Sequence, residues 1–345
     1  MTNSSTGNHD FHQPLFQVLD KVSPFDLANI ALHVIVDAFG ICMNFILLYI
    51  IFFHTPKYMV IYKILLINYA LTEFSTSLLS LCLIERYLPI GLNQLILASY
   101  GLCQIFGPVA CMGTFVLLEH CFTHSALSLL LQFCYRYYVL YNSKPRRIQV
   151  YIALLIFSMP SILSLLNTSF FPDDPNILRE NALKQYPQYY IDAATITGMV
   201  KLEDHPEMGL SMIFICVFIP ATYPFMFFLR HKILKRVEER QFSETTKRLH
   251  SDLLKVLTIQ ISLPAFYLAG MTSYFIIAFG YLNHPLTENF IHFSVAIIPA
   301  ISPFASFFYI TPYKERAIII WNKVACKRFQ KVVPLKQIDN IVGSI

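Results

Sequence analysis

The chain has 345 residues, of which 55% are hydrophobic and only 14% charged, whereas a soluble domain carries about 25% charged residues. Mean hydropathy is +0.53, so most of the chain cannot face water and an ordinary soluble enzyme is excluded. The net charge of +5 lies in basic stretches between apolar blocks, which fits a membrane surface and argues against nucleic acid as a partner.

Residues 1–26 are polar and read as an outer tail with no cleavable signal peptide. The tail carries the sequon Asn3-Ser4-Ser5, so Asn3 is a candidate glycosylation site. Crossing a hydrocarbon core of ~30 Å takes about 20 apolar residues in a helix. Seven blocks qualify: Leu27–Phe53, Met59–Ile84, Gly107–Leu140, Val150–Phe171, Met208–Leu229, Leu253–Phe279 and Glu288–Ile310. The blocks lack the alternation of barrel strands, and open sheets cannot span lipid. The expected fold is therefore all-α: a seven-transmembrane-helix bundle over residues 27–310, with a tail at 311–345. The partner this composition demands is the lipid bilayer.

Basic residues set the orientation. Lys57, the group Arg136–Arg147, the group Arg230–Arg248 and the group Lys314–Lys336 fall on one side, together 19 Lys and Arg. Lys21, Arg86, Arg179, Lys184 and Lys201 are the five on the other side. The N-terminus is therefore expected outside and the C-terminus in the cytoplasm.

The first span contains Asn44, and the second contains Asn68 and Glu73. Polar groups at such depth are costly in lipid and turn toward the bundle interior. Ser302 in the seventh span is placed with them, so these four are expected to face one another.

The third span is the most informative stretch. Glu119 and Thr123 share one helical stripe, and His120 and His124 a neighbouring one. Arg136 follows Glu119 by 17 residues, or about 25 Å along a helix. With Arg136 at the cytoplasmic boundary, Glu119 lies in the outer half of the membrane. His33 and His292 also fall in outer halves. Glu119, His120, Thr123 and His292 are thus the candidate ligand-pocket residues. A His-x-x-x-His pair without further ligands does not make a zinc site, and no metal or cofactor is expected. No His-Glu-x-x-His, Gly-x-Ser-x-Gly or phosphate loop occurs, so catalysis is not expected.

The loop from Pro172 to Glu207 contains no cysteine. It cannot be tied to Cys103, and is expected to be mobile unless its own Tyr186, Tyr189 and Tyr190 pack it. Cys82 is a conceivable alternative partner for Cys103. Prolines at 160, 220, 224 and 264 should kink their helices. After the seventh span, Thr311–Trp321 has a charged start and an apolar run, as in a short amphipathic helix on a membrane surface.

An Arg flanked by Tyr at a helix exit, Tyr135-Arg136-Tyr137, resembles the third helix of G-protein-coupled receptors. The run Asn68-Tyr69-Ala70-Leu71-Thr72-Glu73 resembles the rhodopsin-like pattern Asn-Leu-Ala-x-x-Asp, and Asn44 resembles the polar Asn of the first helix in the same receptors. Four features depart from that pattern: Tyr135 replaces the acid before the Arg, Ser302 replaces the Asn before Pro303, the fourth span has no Trp, and Cys103 has no partner in the second outer loop. The set Lys63–Glu73, Gly107-Pro108, His120–Ser125, Phe133–Tyr138, Lys144–Arg147, Lys255–Gln260 and Ile310–Tyr313 is similar to the nematode serpentine receptor class delta chemoreceptors. That resemblance implies a sensory-neuron receptor in the plasma membrane of cilia, binding a small-molecule ligand and signalling through a heterotrimeric G protein. It also implies that Tyr135, Arg136 and Tyr137 serve coupling. A ligand-gated channel or transporter with seven spans is the competing class. For Arg136 alone, the competing reading is a snorkelling side chain that anchors its helix.

Overall fold

The computed structural model describes residues 22–142, 144–168, 171–189, 191–239 and 244–332. Asn3 and Tyr190 lie outside the described residues. Seven helices are long and apolar enough to cross a membrane. They are α1 (Pro24–His54), α2 (Val60–Leu83), α3 (Pro108–Tyr141), α4 (Arg147–Asn167), α6 (Pro206–Glu239), the pair α7 (Glu244–Ser262) and α8 (Pro264–Ala278), and α9 (Pro285–Tyr309). The remaining helices are α5 (Pro175–Gln185), in the second outer loop, and α10 (Thr311–Val332), which follows the last span. All seven expected spans are present, most with ends displaced by a few residues and the inner ends of the fifth and sixth extended by nine or ten.

The helices are inverted relative to those of a soluble protein. The buried stripe of α1 includes Asp26, Asn29, His33, Asp37, Gly40 and Asn44. Leu32, Ile35, Phe39, Phe45 and Phe53 on its other faces are exposed. Spacings of three and four put all the buried residues on one face, and polar side chains are cheaper there than in lipid. At Gly40 the helices come close, and a Cβ would meet Ser77 Oγ at 2.5 Å and Ala300 Cα at 3.4 Å.

Prolines shape the later spans. Pro264 starts α8 at Leu263, where the sixth span breaks from α7. Within α6, residues Phe214–Phe218 form a π turn. In that geometry the Ile215 carbonyl would be paired by Pro220, which has no N–H. The Tyr267 hydroxyl donates to this carbonyl instead, at 3.0 Å.

The outer loops hold a feature that the all-helical reading lacked. Strands β1 (Glu85–Ile90), β2 (Gln94–Ser99) and β3 (Thr195–Met199) form an antiparallel sheet in the order β1-β2-β3. The hairpin turn between β1 and β2 places Gly91 at φ 64°, which suits glycine. The sheet is covered on both sides, and side chains alternate between its faces. Leu88, Ile96, Ala98 and Ile196 pack against Leu178, Ala182 and Tyr186 of the second outer loop. Leu95, Leu97 and Met199 pack toward the bundle with Phe115, Met112 and Cys103.

One expectation is corrected here, and the condition set on another is met. Cys103 bonds Cys111 at the start of α3, and Cys82 remains a free thiol. The short turn through Gly107-Pro108 brings the two cysteines together, a local pairing that a search for a distant partner overlooks. The loop 172–207 is not loose either, because β3 pairs with β2 and Tyr186 and Tyr189 stack at 5.1 Å. A strand that completes a sheet needs no disulfide to order it.

Candidate functional site

Because β1 alternates, one strand serves two sites. Arg86 points to the loop side. Its Nη1 contacts both Asp26 carboxylate oxygens at 3.1 and 3.0 Å, and its Nε donates to Glu288 Oε2 at 2.7 Å. The guanidinium carbon lies 4.0 Å from the centre of the Tyr189 ring, whose hydroxyl donates to Glu288 Oε1 at 2.8 Å. Tyr100 and Asn289 also donate to Asp26. Burial alone would lower the Arg86 pKa, but Glu288 and Asp26 outweigh it and raise it. This network ties α1, α9, the sheet and the second outer loop into one cap.

Glu85 and Tyr87 belong to the opposite side of β1. Glu85 is fully buried, and its carboxyl pKa is raised well above the ordinary value by burial and by the neighbouring Glu119 charge. His292 Nδ1 lies 3.8 Å from Glu85 Oε2. His292 also packs on His33 at 4.7 Å, and Ser80 lies within hydrogen-bond reach of both His292 and Asp37.

Beneath this group lies a cavity of about 110 Å³ between α3, α6, α8, α9 and β1. Glu119, His292, Tyr87, Phe122, Tyr267 and Tyr274 are among its walls. Of the four candidate pocket residues, Glu119 and His292 line this cavity. His120 turns to α4, with Nδ1 3.0 Å from the Ser161 carbonyl. Thr123 is buried but is not a wall residue. The aromatic walls and the π turn were missed by sequence reasoning. A signal for the π turn existed in Pro220, since a proline there frees a carbonyl one turn earlier.

The polar residues deeper in the bundle do not form one hydrogen-bonded cluster. Asn44 Nδ2 donates to the Pro299 carbonyl at 2.8 Å. Ser302 Oγ lies 3.0 Å from the Tyr69 hydroxyl, and Gln260 donates to it at 3.3 Å. Asn68 donates to Ser128 at 2.7 Å and faces His124, while Glu73 accepts from Ser125. Asn68 thus faces α3 and Asn44 faces α9, while Glu73 and Ser302 both reach the Tyr69 hydroxyl. The partners on α3 were legible in the sequence, because His124, Ser128, Gln132 and Arg136 recur every four residues on one stripe.

That stripe ends at Arg136, which is 6% exposed. Its guanidinium carbon sits 3.8 Å from the centre of the Tyr62 ring on α2. The Tyr62 hydroxyl donates to Gln132 Oε1 at 2.9 Å, which holds the ring in place. Neither Nε nor Nη2 of Arg136 has a hydrogen-bond partner among the described residues. Tyr135 stacks on Tyr62 at 5.7 Å, and Tyr137 packs on Tyr141 at 4.8 Å. Tyr62 therefore packs on a guanidinium that Tyr135 cannot pair as an acid would.

Comparison with known proteins follows the same lines. The backbone resembles squid rhodopsin with a TM-score of 0.61, covering 88% of this chain and 87% of that one at 15% identity, which shows the fold alone. Serpentine receptor class delta-18 of Caenorhabditis elegans is 34% identical over 282 residues, 80% of this chain and 83% of the relative. Serpentine receptor class delta-19 of the same nematode is 32% identical over 285 residues, again 80% and 83%. The model of the family described as serpentine type 7TM GPCR chemoreceptor Srd matches residues 30–319. The chain is thus a multi-pass membrane receptor rather than an enzyme, and it belongs to the serpentine receptor class delta family of chemoreceptors.

Proposed function

We propose that the protein binds a small chemical in the cavity beside Glu119 and His292 and signals through a heterotrimeric G protein at the inner end of α3. The observation that carries this reading is the pairing of a walled cavity on the outer half of α3 with a lightly held Arg136 on its inner end. Both lie on one rigid helix, so a ligand that shifts α3 in the cavity also shifts the packing of Arg136 on Tyr62. Arg is suited to the inner role, since its planar fork reaches several acceptors and keeps its charge. Tyr135, Arg136 and Tyr137 form the coupling surface, and Asn44, Asn68, Glu73 and Ser302 are polar contacts that hold the helices in register. The protein works in the plasma membrane of sensory neurons, with its N-terminus outside, glycosylated at Asn3.

Screening volatile and water-soluble chemicals on cells that express the receptor, with calcium as readout, tests the reading. An epitope at residue 1 should stain intact cells. Once an agonist is found, Arg136→Lys should reach the surface, bind it and signal poorly. Normal signalling by that variant at equal surface expression would leave Arg136 as a snorkelling anchor. Agonist current that persists without any G protein would favour a channel.

A further inference from the structure

The cavity joins an acid to aromatic walls without a basic partner. None of its wall residues is Lys or Arg. The strong cation nearby, Arg86, is taken up by Asp26 and Glu288 on the other side of β1. His292 faces Glu85 and Ser80. No hydrogen bond to the Glu119 side chain occurs among the described residues, and Glu85 nearby is fully buried. A second acid, Glu85, lies 3.8 Å from His292, itself a wall of the cavity.

A carboxylate in such surroundings is costly unless a charge or donor meets it. The remaining walls supply what an organic cation needs. Tyr87, Phe115, Phe122, Tyr267 and Tyr274 present ring surface, and a cation near a ring face gains about 0.5–2 kcal/mol in general. An anionic ligand would meet like charge from Glu119, and a neutral one would leave Glu119 without a counter-charge. The volume of about 110 Å³ is smaller than the ~150 Å³ cavity that admits benzene in another protein. The body of the ligand is thus on the order of half a dozen non-hydrogen atoms.

We propose that the receptor's ligand class is a small primary amine, bound as its ammonium against Glu119 with its apolar body among the tyrosine and phenylalanine rings. This rests on the receptor reading for the cavity's place in signalling, but the binding can be measured without any signal.

The test uses the full-length receptor in lipid nanodiscs and three probes of equal length: n-pentylamine, 1-pentanol and pentanoate. Thermal melting is followed as each is titrated. The amine is expected to raise the melting temperature at the lowest concentration, 1-pentanol at far higher concentration, and pentanoate not at all. Glu119→Gln should weaken the amine roughly tenfold or more, while Glu119→Asp, which keeps the charge, should retain most of the binding. If the Gln variant fails to fold, the comparison of the three probes on the native receptor still decides. Equal stabilisation by 1-pentanol, unchanged amine binding by a folded Glu119→Gln, or no shift from any amine between propylamine and heptylamine would overturn the proposal. G-protein nucleotide exchange, measured alongside, separates the two readings. Glu119-dependent amine binding without exchange sinks the coupling reading and leaves the ligand class standing. Exchange driven by 1-pentanol or pentanoate but not by the amine does the reverse.

Discussion

Two arginines are buried at opposite ends of this bundle, and both lie on a tyrosine ring. Arg86 has a ring at 4.0 Å and two carboxylates within hydrogen-bond distance. Arg136 has a ring at 3.8 Å and no carboxylate in ion-pair contact among the described residues. The first contact set joins helix, sheet and loop, and fixes the outer cap. The second holds α3 to α2 through a ring contact worth about 0.5–2 kcal/mol, an energy that a binding event can overcome. A cation matched by buried acids is a fixed joint, and a cation resting on a tyrosine without an acid is a releasable one.

The largest expected effect comes from breaking the fixed joint. Arg86→Ala strands Asp26 and Glu288 as buried, uncompensated acids, and should cost about 3–5 kcal/mol in a thermal or denaturant melt of the detergent-solubilised protein. The triple variant Arg86→Met, Asp26→Asn, Glu288→Gln removes the charges together and should recover much of that loss. If Arg86→Ala melts like the native protein, the cap is not held by this network.

The releasable joint should respond differently. Tyr62→Leu removes the ring beneath Arg136 and should cost about 1–2 kcal/mol in stability, yet raise signalling in the absence of ligand. Tyr62→Phe keeps the ring and loses only the hydrogen bond to Gln132, for about 1 kcal/mol. A Leu variant with unchanged basal signalling at equal surface expression would remove Tyr62 from the resting contact. Tyr189→Phe is the matching change at the outer joint. It keeps the ring on Arg86 and loses the hydroxyl to Glu288, so it should cost about 1 kcal/mol and leave basal signalling unchanged.

The smallest effect lies at the rim. His205 contacts Asp173 at 3.1 Å and Glu207 at 3.3 Å. Burial works to lower its pKa, but the hydrogen bonds and charges of Asp173 and Glu207 outweigh it, so the folded value lies above the ordinary 6.5. A raised imidazole value stabilises fully below the unfolded pKa and is lost as pH rises through the folded one. Stability should therefore fall slightly as pH rises above 6.5, by under ~1 kcal/mol after solvent screening, and the melting temperature with it. His205→Gln should flatten that slope, and an unchanged slope would assign it to other groups.

The spans were legible because lipid demands long apolar runs, and Arg136 stood out as a charge at the end of one. The cap was harder to read. Glu85-Arg86-Tyr87 lies at the end of the second apolar block, and nothing local announces a strand whose neighbours serve opposite faces. Its hairpin partner β2 is close by, but β3, which pairs with β2, is about a hundred residues away, and that pairing depends on the tertiary fold. Glu119 and His292 could be ranked by depth in the membrane. His120 could not be separated from them, because depth does not say which neighbour a side chain faces. Tyr62 went unread because a tyrosine in a membrane helix resembles any other core aromatic until the guanidinium is placed on it.

The coupling role of Arg136 can be tested before any ligand is known. The measurement is basal guanine-nucleotide exchange on a co-expressed heterotrimeric G protein, at matched surface expression, for the native receptor, Tyr62→Leu, and Tyr62→Leu combined with Arg136→Ala. The expected result is exchange raised several-fold by Tyr62→Leu and returned to the level of G protein alone by adding Arg136→Ala. Raised exchange that survives the loss of Arg136 would contradict the claim that this arginine, released from its ring, engages the G protein.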